Sequence, residues 1–246
     1  MKNKKYEMTT ETQDSDDLGI ILHRIRALRD FNDVKKGDLG GWIEKESNLS
    51  HEGDCWVYSG AQVMNDAVVK DNATIHYYAE IYDDAVVKDN AEIYNCANIY
   101  GHATIKGNAV VRGRAEVSDN AIVQDDAIID GDARVSGNAL ITGHAEIGGN
   151  ADIFDHVVVE DATFADNHYE PYWRARIQGE AVVFGHTLIR GDVLITDNAE
   201  ISGCAKIRDR AVICDKAKVS GSVTVNSDSR IAGTTVIGLC NPDEEN

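Results

Sequence analysis

The chain has 246 residues, with 42 acidic side chains against 24 basic ones for a formal net charge of −18. That balance argues against direct binding to nucleic acid. No apolar run is long enough for a membrane-spanning helix, and the five cysteines show no C-x-x-C spacing, which argues against a zinc ribbon or a disulfide framework. No apolar signal core stands near Met1, so a cytoplasmic location is expected.

Residues 1–17 are charged and polar and are expected to form a disordered tail. Residues 18–60 are expected to be an N-terminal cap with a degenerate first coil, because the end of a solenoid must be covered. Within them, Leu18, Ile21, Leu22, Ile25 and Leu28 have helical spacing, whereas Ile21, His23, Ile25 and Ala27 alternate as in a strand, and the strand is favoured. Gly37, Gly40 and Gly41 suit tight turns, and Trp42 and Trp56 suit closing the first coil.

From Ala61 to Cys240 a six-residue phrase repeats: a small residue, a variable one, Ile or Val, a variable one, then a pair rich in Gly, Asp and Asn. Side chains alternate in a strand, so Ala61 and Val63 point inward while Gln62 and Met64 point outward. The fifth position, as at Asn65, Asp71, Asp83 and Gly101, takes residues that tolerate a left-handed backbone and so makes the corner. Three hexads close one coil of 18 residues, with neighbouring coils about 4.8 Å apart. The expected fold is all-β, a parallel β-solenoid of about ten triangular coils over residues 61–240, followed by an acidic tail at 241–246. The hexads resemble those of the left-handed parallel β-helix of hexapeptide-repeat proteins, and the left hand is implied by that resemblance. The segment from Phe31 to Ile43, with Gly40, Gly41 and Trp42, and its continuation from Leu49 to Val57, is similar to the N-terminal signature of the YdcK-like proteins. These are bacterial and phage-borne β-helix proteins grouped with the hexapeptide acyltransferases.

Two hexads, Thr163–His168 and Tyr169–Arg174, abandon the consensus, and the frame resumes at Ala175. Phe164, His168, Tyr169, Tyr172, Trp173 and Arg174 therefore form the leading candidate binding site, on the ground that sequence rules fail at functional sites. An 18-residue step places His168, His186 and Cys204 in one column. A straight file of ligands does not converge tetrahedrally, so no metal is expected there. The pairs Asp71 with Asp89 and Asp197 with Asp215 are read as corner acids.

Three functions follow. The outward row Val68, Val86, Thr104, Ile122, Leu140, Val158, Arg176, Leu194, Val212 and Arg230 is largely apolar. Val68, Val86, Ile122, Leu140, Val158, Leu194 and Val212 are accordingly expected to form an interface. The first reading is therefore a non-catalytic binding or scaffold protein without a cofactor, self-associating as a dimer or trimer and open to a protein partner. The second, implied by the resemblance, is an acyltransferase using acetyl-CoA, with His168 or His186 as general base and Tyr172 and Arg174 as substrate contacts. Against it stand the lack of a long loop between hexads and the spread of Lys206, Arg208, Arg210, Lys216 and Lys218 over opposing corners. The third is an acidic mimic of nucleic acid acting on a host or phage nucleic-acid-binding protein.

Overall fold

The structure, a computed structural model, describes residues 4–15, 19–160, 175–226 and 228–238. It is all-β, with one short 3-10 turn at Glu46–Asn48, and among the described residues no helix is long and apolar enough to cross a membrane. The chain divides into two compact units, Met1–Asn120 and Ala121–Asn246.

The first unit begins with three longer strands, β1 (Tyr6–Asp14), β2 (Ile21–Ala27) and β3 (Leu39–Ile43). β1 pairs antiparallel with β2, and β2 antiparallel with β3. β3 then pairs parallel with the first regular hexad, Trp42 opposite Gln62 and Ile43 opposite Val63. The antiparallel cap thus hands its last strand to a parallel ladder, which removes one open edge. The expected disordered tail is corrected here: Lys5 and Tyr6 are completely buried. The Tyr6 hydroxyl lies 2.7 Å from the Leu49 carbonyl oxygen and 2.9 Å from that of Glu46. Lys5 Nζ donates to the Cys55 carbonyl at 2.8 Å and to Gly53 at 3.3 Å. Burial pulls the Lys5 ammonium below its ordinary range, with the nearby Cys55 opposing.

Ile21–Ala27 is the strand that alternation favoured. Trp56 is buried and meets Phe31 edge-on at 5.3 Å. Gly37 does serve a turn, at φ 99°. Gly40 and Gly41 do not, since both lie within β3. A Cβ on Gly40 would sit 2.6 Å from Trp56 and from the Val57 carbonyl oxygen, and one on Gly41 2.4 Å from that of Ala61. These glycines are required by close approach of the cap to the first coil.

Beyond the cap, each hexad contributes a two-residue parallel strand. In the first unit the ladders run Gln62, Glu80, Asn98, Glu116; Trp56, Thr74, Glu92, Val110; and Val68, Val86, Thr104. The inward Ala and Ile or Val side chains are buried in the described coils as far as Val219, and in the last coils Val225 and Ile231 are buried while Val223 and Ile237 are half-buried. Each buried Ile or Val contributes about 1.5–3 kcal/mol, but only against the coils on either side, so the units stabilise one another in series. Corner residues have φ near 60°, and their carboxylates brace the next coil. Gly101 N donates to Asp83 Oδ2 at 3.1 Å and Gly107 N to Asp89 Oδ2 at 3.1 Å. Parallel pairing, hexad strands and left-handed corners fit the left-handed parallel β-helix, with about ten coils.

In the second unit the same three ladders are interrupted once. Ile122 pairs with Leu140 and Leu140 with Val158, each 18 residues on. The next partners are 30 residues on: Glu146 with Arg176, Asp152 with Val182, Val158 with Leu188. The 18-residue step then returns, Arg176 with Leu194 and Leu188 with Lys206. The ladder therefore leaves out twelve residues between Glu160 and Ala175, and these fall in the stretch 161–174, outside the described residues.

This corrects the column assignments. Twelve is a multiple of six, so the hexad frame is unchanged, but it is two thirds of a coil, so every later position moves to another face. Arg176, Leu194, Val212 and Arg230 continue the row of Ile128 and Glu146. The row of Ile122, Leu140 and Val158 continues through Leu188 to Lys206 and Thr224.

Candidate active site

Of the leading candidates, Phe164, His168, Tyr169, Tyr172, Trp173 and Arg174 lie outside the described residues. His186 is described, and its neighbour across the 30-residue step is His156, with ring centroids 4.8 Å apart and planes 2° from parallel. His156 was expected to have no such neighbour, and the shifted register supplies one. Below the pair, Phe154 and Phe184 stack at 5.1 Å. The Asn138 side-chain nitrogen lies 3.3 Å from His156 Nε2.

Chemistry-bearing groups gather instead at the corner where the ladder skips. His144 occupies that corner one coil earlier, and its Nε2 lies 3.4 Å from Asp126 Oδ2, with the imidazole a third exposed. Beside it, Asp125 Oδ2 accepts from Gly143 N at 3.3 Å and from the Thr142 hydroxyl, and Gln124 Nε2 donates to Thr142 Oγ1 at 3.1 Å. These bonds fix the backbone that carries His144. A carboxylate one coil below orients the imidazole, and a neutral imidazole held in this way has the chemistry of a general base.

Arginines flank the same corner. Arg190 Nε stands 3.5 Å from Glu160 Oε1, and Arg176 Nη2 3.7 Å from Asp192 Oδ1. Arg208 follows Arg190 in the ladder, and Lys206 lies two residues before it on the same outward side of the strand Lys206–Asp209. Arg190, Arg208 and Lys206 thus share one side of this ladder. The Nε atoms of Arg176 and Arg208 are buried without a hydrogen-bond partner, which leaves two guanidinium donors unsatisfied. Guanidinium forks of this kind suit phosphate or carboxylate oxygens.

One group has metal-ligand chemistry among the described residues: Asp197, Cys214 and Asp215, with ligand atoms within 4.8 Å of one another. Its carboxylates already brace corners, Asp197 Oδ2 accepting from Asp215 N at 3.1 Å and Asp215 Oδ2 from Gly233 N at 2.8 Å. Burial pushes the Cys214 thiol up, away from the thiolate a metal needs.

No protein-family model matches the chain. A stretch of 79 residues is 37% identical to a protein of Escherichia coli (strain K12) named "Uncharacterized acetyltransferase YdcK". The chain is a hexapeptide-repeat β-solenoid with a YdcK-like stretch. The match takes in 29% of this chain and spans about a quarter, 24%, of that relative. The fold and the similarity agree with the resemblance read from the Gly40-Gly41-Trp42 segment and the hexads. Sequence reasoning missed the His144 and Asp126 pair because it looked along the columns for stacked histidines and cysteines, although the two residues stand one ordinary 18-residue step apart.

Proposed function

We propose that this protein is an acyltransferase that draws its acyl group from a CoA thioester, with His144 as general base. The observation that carries this reading is the His144 and Asp126 pair at the corner where the ladder leaves out twelve residues. The name carried by the E. coli relative supports the same class. So does the loss of one objection, since the ladder leaves out twelve residues between hexads at this corner.

A CoA thioester would supply an activated acyl group, and Arg190, Arg208 and Lys206 would hold its phosphates. The chain's own part is proton transfer. His144 removes a proton from the acceptor hydroxyl or amine as its oxygen or nitrogen attacks the thioester carbon, and the proton then goes to the departing thiolate. A positioned base of this kind contributes about 10²–10⁴ in rate.

The test is release of free thiol from acetyl-CoA with amine and hydroxyl acceptors. His144→Gln is expected to lower kcat about 100-fold or more, while His186→Gln changes it little. A full rate in His144→Gln would remove His144 from the mechanism. An absence of turnover in a folded preparation would sink acyl transfer.

A scaffold reading keeps one specific observation. Ile122, Leu140, Val158 and Leu188 are consecutive in one ladder of the second unit and only half-buried. A turnover-free protein found oligomeric by light scattering would return to that reading. The expected interface residues Val68 and Val86 form the corresponding row of the first unit, while Leu194 and Val212 lie between Arg176 and Arg230 on another row.

A further inference from the structure

Among the described residues, every left-handed position is Gly, Asn or Asp except Tyr77, at φ 58°. A bulky side chain there carries a steric cost that Asn or Gly avoids. It also places an aromatic ring in solvent: Tyr77 is 57% exposed and its neighbour Tyr78 71%. Strain combined with exposure of two rings, in a coil whose other corners use small polar residues, points outward rather than to the core.

The surroundings are ordered. Tyr58, His76 and Tyr94 stack one per coil, at 4.2 Å and 4.5 Å between centroids. The stack is pinned at its ends, Tyr58 donating to Asp33 Oδ1 at 2.5 Å and Tyr94 to Glu92 Oε2 at 2.6 Å. On the next face Tyr78, Glu80 and Tyr82 point outward in turn, since Ala79 and Ile81 between them are buried. Tyr82 stacks on Tyr100 at 5.0 Å with parallel planes. Between the two aromatic edges runs the outward ladder Gln62, Glu80, Asn98, Glu116. The face is a strip of amides and carboxylates bordered by tyrosines.

We propose that this face of the first unit binds a neutral oligosaccharide lying along the coil direction. Sugar hydroxyls pair with amides and carboxylates, and the C–H face of a pyranose packs on an aromatic ring, so both components of the strip are used. The coil spacing of about 4.8 Å is close to the length of one pyranose unit, which brings successive sugars opposite successive rungs. Other occupants fit less well. The carboxylates oppose nucleic acid and acidic glycans. An apolar peptide would take the Glu80 carboxylate and the Asn98 amide out of water and offer them no polar group in return. The backbone of this ladder is already paired on both sides, leaving no edge for an added strand. The proposal is independent of acyl transfer in the second unit.

The test is native affinity electrophoresis of the full chain in gels containing hydroxyethylcellulose, glucomannan or a soluble β-1,3-glucan. At least one glycan is expected to retard the protein. Tyr77→Asn combined with Tyr78→Ser should weaken retardation tenfold or more, while melting stays unchanged or rises because Asn accepts the left-handed corner. Glu80→Gln should keep binding within a few-fold, since a neutral ligand accepts an amide in place of a carboxylate. The proposal is overturned by no retardation in any of the three gels, or by retardation that survives the tyrosine changes. It is equally overturned if polylysine binds in a manner lost in both the tyrosine variant and Glu80→Gln, which would mark a site for a basic protein segment.

Discussion

The first unit keeps the 18-residue step in every described coil and departs from the repeat in its outward side chains, as at Tyr77 and Tyr78. The second keeps Gly or Asp at its described left-handed corner positions and departs in the count, with a 30-residue step from Glu146 to Arg176. The difference shows where a solenoid can vary. Outward positions carry no packing, so new surface chemistry is added by substitution alone. Extra chain must leave at a corner and return in frame, because the inward Ala and Ile positions have to meet their neighbours again.

The comparison is broken most severely at the cap of the first unit. Trp56 fills the end of the first coil against Phe31 and Tyr6. Trp56→Ala is expected to cost about 3–5 kcal/mol. Chemical denaturation should register the loss, with hydrogen exchange fastest in β1 to β3. A cost below 1 kcal/mol would mean that the cap does not hold the first unit together.

The register step is tested next. Removing residues 163–174 joins Ala162 to Ala175 in frame and allows the second unit an unbroken 18-residue ladder. Cooperative melting is expected to survive, and thiol release from acetyl-CoA to fall about 100-fold, the size of a misplaced acceptor, since His144 itself is retained. Retained turnover would dissociate acyl transfer from the skipped segment. Loss of folding would show that the ladder depends on it.

Most of the fold is legible because Ala and Ile or Val recur at inward positions with no exception long enough to blur the period. The cap is less so. β1 presents Thr9, Thr10 and Glu11 to solvent, so its composition is that of a tail, and its anchoring rests on Lys5 and Tyr6, whose burial no local pattern announces. The Gly40 and Gly41 pair reads as a turn because sequence conveys a missing Cβ but not what would collide with it. The candidate site was legible in part. The failed consensus at 163–174 marks the coil where the ladder breaks, yet an insertion of two whole hexads is invisible to a six-residue frame while moving every later column by two faces. That is why His186 was assigned to His168 and stacks on His156.

The smallest expected effect concerns His76, held between Tyr58 and Tyr94 in the unit whose step never changes. Burial pulls its pKa below the ordinary histidine value, with Glu92 and then Asp33 opposing. The unfolded chain therefore takes up this proton at a higher pH than the folded one. The contribution of the neutral ring is present above the unfolded value of about 6.5 and is lost as pH falls through the folded value. Stability of the wild type should decline on acidification below pH ~6.5 slightly more steeply than that of His76→Phe, which keeps the stack without a titrating group. Paired denaturation curves at successive pH values measure the difference. Identical slopes would mean that the imidazole reaches water freely in the folded protein, and that the aromatic edge of the first unit is looser than its stacked geometry implies.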